Sequence, residues 1–319
     1  MKRIGVAIAA ATLACVSLAV AQEKFPSRNI SFIVPLAPGS GTDVIARTLA
    51  ATVSRSLGAQ FVIENKPGAS TMLGVSTVVK APPDGHTILI GASGLTVNHL
   101  LFKSVPYDAQ KDLTPITLAV TTPVILVVNK NLGARTLAEF IALHKGKDLS
   151  FASGGVGTYL HLAGEVFKAR SGLDMKHVPY RGGGPALTDV IAGHVQMMFI
   201  TPVNAGTIIN GDVVGLAVSG DKRIDSLPQV PTFAEAGLAM PEVTGSWFGI
   251  LGPAGMPKDV TATLNQHFNA ALKDPEAISV MQKNGLVGVG TTPEGFAQFI
   301  REEAQRWPPI FEKAGLKPE

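Results

Sequence analysis

A strand followed by a glycine-rich turn and a helix, near the start of the chain, constrains the fold more than any other feature. The apolar run Ile30 to Val34 has the character of a short strand. Pro35 to Gly41 then contains two prolines and two glycines in seven residues. Ile45, Leu49 and Val53 recur at a spacing of four, which predicts one apolar face of a helix. Such a turn exposes backbone N–H groups at the positive end of a helix dipole, which is typical of an anion site.

The same order of strand, glycine-rich turn and helix recurs in the second half of the sequence. Leu149 to Ala152 has strand character, Ser153 to Thr158 reads SGGVGT, and Tyr159 to Arg170 has a helical pattern that Gly172 ends. The first hundred or so residues after the N-terminal segment also alternate strand and helix with short turns. This alternation predicts mostly parallel sheets flanked by helices. A length of 319 residues predicts about two domains, on a prior of roughly 100–200 residues each.

The N-terminal segment has the composition of a signal peptide. Lys2 and Arg3 provide positive charge, Ile4 to Val20 is apolar, and Ala19 to Ala21 fits the small-x-small rule for cleavage. The alternative is a membrane anchor, but the apolar run is short and ends in a cleavage signal. We therefore predict that residues 1–21 are a signal peptide that is removed, and that the mature chain is periplasmic.

The single cysteine, Cys15, lies within this segment. The residues before it partly resemble a lipid-attachment box, although Thr12 stands where an aliphatic residue is usual. Cleavage after Ala21 leaves the mature chain without a thiol. A disulfide, a cysteine nucleophile and a thiolate metal site are then excluded.

Charge and motifs argue against several classes of function. Without the signal peptide, 25 of the 27 lysines and arginines remain against 24 acidic residues, a net charge of +1. No basic stripe with interleaved aromatic residues appears, so we expect no nucleic-acid partner. Gly39 to Val44 nearly matches GxGxxG, but Val44 replaces the third glycine, and no P-loop or nucleophile elbow occurs. The seven histidines lack metal-ligand spacing. No cofactor, catalytic residue or metal is predicted, and a metal site assembled from distant residues stays an alternative.

Small polar residues at the ends of the predicted strands form the candidate binding site. Ligands of open α/β sheets bind at the carboxyl ends of strands, and glycines let the backbone approach a ligand closely. Side chains that can hold a small carboxylate by hydrogen bonds, without reacting with it, belong to Ser40, Thr42, Ser93, Ser153, Thr158 and Asn98. The alternative is that these turns are the ordinary capped connections of any α/β protein.

Three charged or titratable residues near these turns have two interpretations each. Asp43 complements the dipole of the first helix, or contacts the ligand through water or an amino group. His161 lies one turn into a helix, where it contacts the ligand, or packs and bonds a loop carbonyl. Arg181 pairs with a second carboxylate, or is a solvated loop arginine.

Six stretches of the chain together resemble one known family. They read FPSRNISFIVPLAPGSGTDVIAR, VIENKPGAS, APPDGHTILIG, FASGGVGTYLHLAGEVF, HVPYRGGGPALTDVIAGHVQMMF and SWFGILGPAGMP. In combination they are similar to the substrate-binding receptors of tripartite tricarboxylate transporters, the Bug receptors. The resemblance runs from about Phe25 to Leu316, which is nearly all of the mature chain.

The resemblance implies a fold and a domain organisation. The expected fold is α/β, the two-domain Venus-flytrap fold of periplasmic binding proteins of the type II kind, with a mostly parallel sheet flanked by helices in each domain. Residues 22–122 and 245–319 would form the first domain, and residues 123–244 the second. The chain would cross between them near Pro123 and Thr244, and the C-terminal helices would return to the first domain.

The resemblance also implies a ligand and a site. A small carboxylic acid would lie in the cleft, with one carboxylate held by the turn Ser153 to Thr158 and bridged by water to the turn Leu36 to Asp43. The expected ligand-binding residues are Leu36, Ala37, Gly39, Ser40, Gly41, Thr42, Asp43, Ser93, Asn98, Ser153, Gly155, Val156, Gly157, Thr158, His161 and Thr201.

Two positions depart from the family pattern. Many members carry an aspartate where this chain has Ile200, followed by Thr201 and Pro202. This change would remove a charge from the cleft wall, and it favours a plain or aromatic carboxylate over an amino acid. The second departure is Ser40 where glycine is common, a change that a turn can absorb.

These observations predict a monomeric receptor without catalytic activity, which closes around a small carboxylate and delivers it to membrane transporter subunits. One alternative is a sensor that reports the ligand to a membrane signalling partner. Another is a periplasmic enzyme acting on a carboxylate, which would need a nucleophile or a positioned acid–base pair.

Overall fold

The computed structural model describes residues 25–313, and the predicted signal peptide lies outside this range. None of the helices in the described part is both long and apolar enough to cross a bilayer. The elements in chain order are β1 (Ile30–Val34), α1 (Gly41–Leu57), β2 (Phe61–Asn65), α2 (Met72–Val79), β3 (Thr87–Gly91), α3 (Gly94–Leu101), β4 (Leu113–Thr122), β5 (Ile125–Asn129), α4 (Leu137–His144), β6 (Leu149–Ser153), α5 (Tyr159–Ser171), β7 (Met175–Pro179), α6 (Gly183–Ala192), β8 (Met197–Ile200), α7 (Ala205–Ile209), β9 (Val213–Val218), β10 (Ser246–Pro253), α8 (Lys258–Ala271), α9 (Pro275–Lys283), β11 (Val287–Gly288) and α10 (Pro293–Lys313).

The strands assemble into two mixed sheets. The first has the order β11-β4-β10-β3-β1-β2 and the second β7-β6-β8-β5-β9. In the first sheet β1, β2, β3 and β4 run in one direction, and β10 and β11 run in the other. In the second sheet β5 runs against the other four described strands. The predicted α/β class, with two sheets flanked by helices, is confirmed. Both sheets are mixed, and their antiparallel pairings involve β5, β10 and β11.

The chain passes between the two sheets twice. The first crossing joins β4, which ends at Thr122, to β5, and the second joins β9 to β10, which begins at Ser246. The crossings touch each other, because a methyl group placed on Gly245 would lie 2.6 Å from the carbonyl oxygen of Thr122. Gly245 has a φ of 146°, which L side chains rarely adopt, so glycine is needed here for both space and conformation.

Apolar side chains fill both faces of each sheet, and two groups of them pack across the boundary between the sheets. Val97 and Leu101 of α3 belong to a buried cluster with Phe151 and Phe199 of the second sheet. Trp307 and Phe311, near the end of α10, belong to the same cluster. Val203, which follows β8, packs in the opposite direction, against the core of the first sheet. The two layers, each a sheet with the helices that pack on it, are therefore held in apolar contact in this structure.

Local sequence signals explain most helix ends. Thr136 and Glu139 form a capping box at the start of α4, in which each side chain accepts a hydrogen bond from the other residue's backbone N–H. Gly58 ends α1 in the left-handed conformation. Prolines often end a helix, but α10 continues through Pro308 and Pro309 to Lys313. Burial of Trp307 and Phe311 on either side of the prolines stabilises the helix against the lost backbone hydrogen bonds.

Candidate functional site

A cavity of about 480 Å³ lies between the two sheets, and four strand ends meet at it. The turn after β1 contributes Pro35 and Leu36, and the turn after β2 contributes residues 67–71. The second sheet contributes residues 154–156 and Thr158 after β6, and residues 179–181 at and after the end of β7. All four turns follow the carboxyl ends of parallel strands, which is where ligands bind in open α/β sheets.

Three helices begin at this cavity. α2 begins directly after Thr71, whose side chain makes no capping hydrogen bond. α5 begins after Thr158, and α6 begins after Gly182, the neighbour of Arg181. The positive ends of three helix dipoles and the guanidinium of Arg181 therefore surround one space. Among the residues that line the cavity, Arg181 is the one with a charged side chain. This electrostatic environment favours an anion.

The turn before α2 has an unusual backbone. Ala69, Ser70 and Thr71 are consecutive non-glycine residues with φ of 44°, 51° and 76°. Each left-handed residue costs about 1–2 kcal/mol, and such conformations persist where the surroundings impose them. One support is Asn98, whose Nδ2 donates to the carbonyl oxygen of Ser70 at 3.0 Å and to the Tyr107 hydroxyl at 3.0 Å. This turn was not among the predicted ligand-binding segments, although Pro67 and Gly68 directly after β2 are typical turn residues.

The turn between β6 and α5 is held by bonds within itself. The Thr158 hydroxyl donates to the carbonyl oxygen of Gly155 at 2.8 Å and accepts from the His161 N–H at 3.3 Å. The Ser153 hydroxyl accepts from the Gly155 N–H at 3.1 Å. Gly155, Val156 and Thr158 line the cavity, whereas Ser153 and Gly157 support the turn from behind. Val156 N–H makes no hydrogen bond to protein within residues 25–313.

The first glycine-rich turn contributes less than the sequence predicts. Of its residues, Pro35 and Leu36 line the cavity. Ser40 caps α1 by accepting from the Asp43 N–H at 3.3 Å. The carboxylate of Asp43 accepts from the Gly39 N–H at 3.0 Å, from Arg47 at 2.9 Å and from Asn65 at 3.0 Å. Burial opposes ionisation of Asp43, but these hydrogen bonds lower the pKa of its carboxyl group below the usual value. Asp43 complements the dipole of α1 and stabilises its own turn. These two roles explain its position without a ligand contact.

Ala37, Gly41 and Thr201 lie where the two layers meet. A methyl group placed on Gly182 would lie 3.6 Å from the Cβ atom of Ala37, and one placed on Gly41 would lie 3.6 Å from the Thr201 hydroxyl oxygen. Thr42 is buried within α1, and Gly39 faces open space. Ile200 is 1% exposed and belongs to the core of the second sheet. The interpretation of Ile200 as a neutral cleft wall is therefore not supported, since its side chain does not line the cavity.

Ser93, Asn98 and His161 lie behind the cavity lining. Ser93 is 1% exposed at the start of α3, and Asn98 is fully buried. Asn98 still belongs to the boundary between the layers, because a methyl group on Gly157 would lie 2.6 Å from its Oδ1 atom. His161 is also buried, and its Nδ1 atom accepts from the Gly157 N–H at 3.2 Å. Of its two predicted roles, the structure shows bonding within the loop, to an N–H rather than to a carbonyl group.

Tyr180 and Arg181 both line the cavity. Tyr180 was not predicted as a site residue, whereas pairing with a second carboxylate was one of the two interpretations of Arg181. The Tyr180 hydroxyl donates to Asp189 at 2.6 Å. This hydrogen bond is the main cause that raises the pKa of Tyr180 to about 12 and lowers the pKa of Asp189. The carboxylate of Asp189 is therefore hydrogen-bonded to a neutral hydroxyl group. The guanidinium of Arg181 makes no hydrogen bond or ion pair within the described residues. The sequence signal for this side of the cavity is the glycine-rich stretch Arg181 to Gly184.

A larger cavity, of about 1060 Å³, lies at the two crossings. Its lining mixes both signs of charge, including Asp221, Lys222, Asp225 and Lys283, and no helix begins at it. Size alone does not identify a binding site. The smaller cavity has the convergent helix ends and the single sign of charge that a specific site for an anion requires.

The fold and the cleft define a class of protein, the two-domain periplasmic binding proteins. Residues 45–316 match the model of the tripartite tricarboxylate transporter family receptor. The chain is 38% identical over 310 residues to a protein encoded in the tcbD-tcbE intergenic region of Pseudomonas sp. strain P51, covering 96% of this chain and 92% of that protein. It is 35% identical over 320 residues to BugT of Bordetella pertussis, covering 98% and 97% of the two chains. The chain therefore belongs to the tripartite tricarboxylate transporter receptor family, as the sequence resemblance implied.

Solved structures of similar proteins agree with this assignment. The periplasmic binding protein BugD is 31% identical, with a TM-score of 0.88, over 92% of this chain and 100% of that one. R. palustris Rpa4515 with adipate has the same identity and coverage, with a TM-score of 0.87. MatC from Rhodopseudomonas palustris with bound malate is 31% identical, with a TM-score of 0.83, over 90% and 99% of the two chains. These neighbours are binding proteins, and the two ligands are dicarboxylates.

Proposed function

We propose that this chain captures a small carboxylic acid in the cleft between its two sheets and delivers it to the membrane subunits of a tripartite tricarboxylate-type transporter. The observation that carries the proposal is the convergence of three helix N-termini and Arg181 on one cavity of about 480 Å³. This volume is within the range of small-molecule sites, roughly 300–1,000 Å³. Adipate and malate, each bound by a similar protein, have the charge that this site would take.

Closure of the cleft explains how backbone N–H groups, together with Arg181, can hold such a ligand. The ligand would lie between the turns of both sheets, and closure would exclude water from it. Hydrogen bonds from backbone N–H groups strengthen as the local dielectric falls, and the helix dipoles act in the same direction. No step of this process changes the ligand chemically, so the proposed protein binds and releases the carboxylate without turnover.

The decisive experiment is a calorimetric and thermal-shift screen of the chain from Gln22 onward against mono-, di- and tricarboxylates and amino acids. A ligand at about 100 times its Kd adds roughly 2.7 kcal/mol to the free energy of unfolding, which raises Tm measurably. Nuclear magnetic resonance of the ligand after several hours would show whether it is consumed. A receptor leaves it intact, whereas conversion to product would establish an enzyme instead.

A pair of matched variants locates the site. Leu36→Trp enlarges a side chain that lines the cavity, and we expect it to abolish carboxylate binding. Leu143→Trp makes the same change on α4, where the side chain is 46% exposed, and binding should be unchanged. Equal binding by both variants would place the ligand elsewhere.

The transport role needs a test in cells. We expect export of the chain to the periplasm and loss of growth on the identified carboxylate when its gene is deleted. Normal growth, together with loss of a ligand-induced transcriptional response, would favour the sensor alternative.

A further inference from the structure

Two histidines, the buried His161 and the partly buried His177, lie behind the turn Ser153 to Thr158, and no part of the proposed binding role uses them. His161 is on the first turn of α5 and His177 is on β7. Their rings are 4.0 Å apart between centroids and tilted by 30°. His177 also stacks on Phe151 at 4.8 Å. Neither histidine lines the cavity. Each is hydrogen-bonded to a residue of the turn Ser153 to Thr158, and this turn lines the cavity.

The hydrogen bond of His161 fixes the position of its proton. Nδ1 accepts from the Gly157 N–H at 3.2 Å, so this nitrogen carries no hydrogen. The proton of the neutral ring is therefore on Nε2, which is 3.7 Å from the Glu165 carboxylate. A substituent without an acceptor at this position would leave the Gly157 N–H buried and without a partner.

His177 supports the other end of the turn. Its Nε2 lies 2.7 Å from the Ser153 hydroxyl oxygen. Burial, and secondly the neighbouring His161, lower the pKa of His177 to about 3, so the ring is neutral near pH 7. When His177 Nε2 donates, the Ser153 hydroxyl can donate to the Gly155 carbonyl oxygen at 3.0 Å and accept from the Gly155 N–H at 3.1 Å.

We propose that His161 and His177 are positioning residues, a pair of imidazole rings in contact that fixes the conformation of the anion-binding turn. The inference rests on the proposed function, since the turn is the one that would hold the carboxylate. His161 accepts from the Gly157 N–H directly, and His177 acts on the Gly155 N–H through the Ser153 hydroxyl. Neither N–H group is then available to a ligand in the cavity. Val156, between these glycines, is left with its N–H available to a ligand. A fixed turn loses less conformational entropy when the ligand binds.

The test compares substitutions of His161 that differ in one property. His161→Phe keeps a flat ring that can stack on His177 but removes the acceptor for Gly157. His161→Asn supplies a carbonyl oxygen near the position of Nδ1. His144, a buried histidine on α4 whose Nδ1 lies 2.9 Å from the Phe140 carbonyl oxygen, provides the matched control His144→Asn.

With malate and adipate as calorimetric probes, we expect His161→Phe to weaken binding about tenfold, the effect of one lost hydrogen bond to a buried group. His161→Asn should recover most of the affinity, and His144→Asn should bind like the parent chain. Binding by His161→Phe at parental strength would overturn the proposal. The proposal would also be overturned if His161→Asn bound the carboxylates as weakly as His161→Phe while the two variants had an equal Tm.

A second measurement needs no ligand and separates this inference from the proposed function. Hydrogen exchange followed by nuclear magnetic resonance should show protected Gly155 and Gly157 amides in the parent chain, and loss of Gly157 protection in His161→Phe. Protected amides in a chain that binds no carboxylate would refute the receptor proposal and leave the positioning role standing. Freely exchanging Gly157 in the parent chain would refute the positioning role, whatever the ligand.

Discussion

Asn98 and Gly157 meet across the boundary between the two sheets, and the contact leaves no room for a side chain at position 157. A methyl group there would lie 2.6 Å from the Oδ1 atom of Asn98 and 3.2 Å from Leu101. Asn98 is fully buried on α3, and its Oδ1 atom has no hydrogen-bond partner in the described structure. The asparagine amide connects the strained turn at Ser70 with the glycine turn of the second sheet.

This contact predicts that Gly157→Ala prevents the cleft from closing as it does here. Gly157 has a φ of 77°, so alanine would be strained as well as too close to Asn98. We expect carboxylate affinity to fall at least tenfold. Small-angle scattering should then show no ligand-induced decrease in the radius of gyration.

Gly133→Ala is the matched control for the strain. Gly133 has a φ of 75°, but a methyl group there would meet nothing within 4 Å. Both variants should lose comparable stability, roughly 1 kcal/mol. A similar loss of affinity in both would show that backbone strain, and not the contact with Asn98, causes the effect.

Arg181 predicts a preference for ligands with two carboxylates. One carboxylate at the helix N-termini leaves the guanidinium available to a second. Arg181→Gln should weaken the binding of malate or adipate about tenfold and affect a monocarboxylate much less, because the latter has no group to pair with it. Arg135→Gln, a change at an exposed arginine ahead of α4, controls for net charge. Equal effects of Arg181→Gln on both ligand classes would contradict this role.

The strand and helix pattern was predictable because it depends on local signals. The apolar run at Ile30, the spacing of Ile45 and Leu49, and the cap at Thr136 each specify an element from a few neighbouring residues. The continuation of α10 past Pro308 was not predictable in this way. It depends on burial of Trp307 against residues more than a hundred positions away.

The site was predictable only in part, for the same reason. Glycine turns at strand ends indicated the correct edges of both sheets. They did not show that the polar atoms of Ser40 and Asp43 are used within their own turn. Nor did they show that residues 69–71, a stretch without glycine, adopt the left-handed conformation that brings them to the cavity. Tertiary contacts such as the bond from Asn98 to Ser70 decide these details.

The partly buried His177 predicts a specific loss of stability in acid. Its folded pKa of about 3 is below the usual value for histidine of 6.5. Between these values the unfolded chain binds a proton and the native chain does not, so the free energy of unfolding decreases as pH falls from about 6.5 to 3. At about pH 5 the contribution of this one group is roughly 2 kcal/mol.

Urea denaturation at about pH 7.5 and pH 5 would measure this effect. Carboxylates with lowered pKa, such as Asp43 and Asp84, destabilise every variant in acid. The informative quantity is therefore the difference between the parent chain and His177→Phe in the change with pH. We expect His177→Phe to be less stable at neutral pH and less sensitive to acid by roughly 2 kcal/mol. Equal pH dependence would show that His177 titrates normally in the folded chain.

Glu303 binds both tryptophans, so we expect tryptophan fluorescence to report on the region of the two crossings. Its side chain is 1% exposed and accepts from Trp247 Nε1 at 3.1 Å and from Trp307 Nε1 at 3.3 Å, while Arg306 lies 2.7 Å away. Trp247 is in β10 directly after the second crossing, and Trp307 packs with the cluster of the second sheet. Since the chain has two tryptophans, its indole fluorescence comes from this one site.

We expect Glu303→Ala to cost about 3 kcal/mol or more, because two buried indole N–H groups lose their acceptor. Glu303→Gln retains one acceptor oxygen and should cost less. Glu302→Ala, an exposed change on the same helix, should leave both stability and the emission spectrum unchanged. A Glu303→Ala chain with parental stability and emission would show that the indoles find other partners, and the carboxylate would then have no role in joining the two layers.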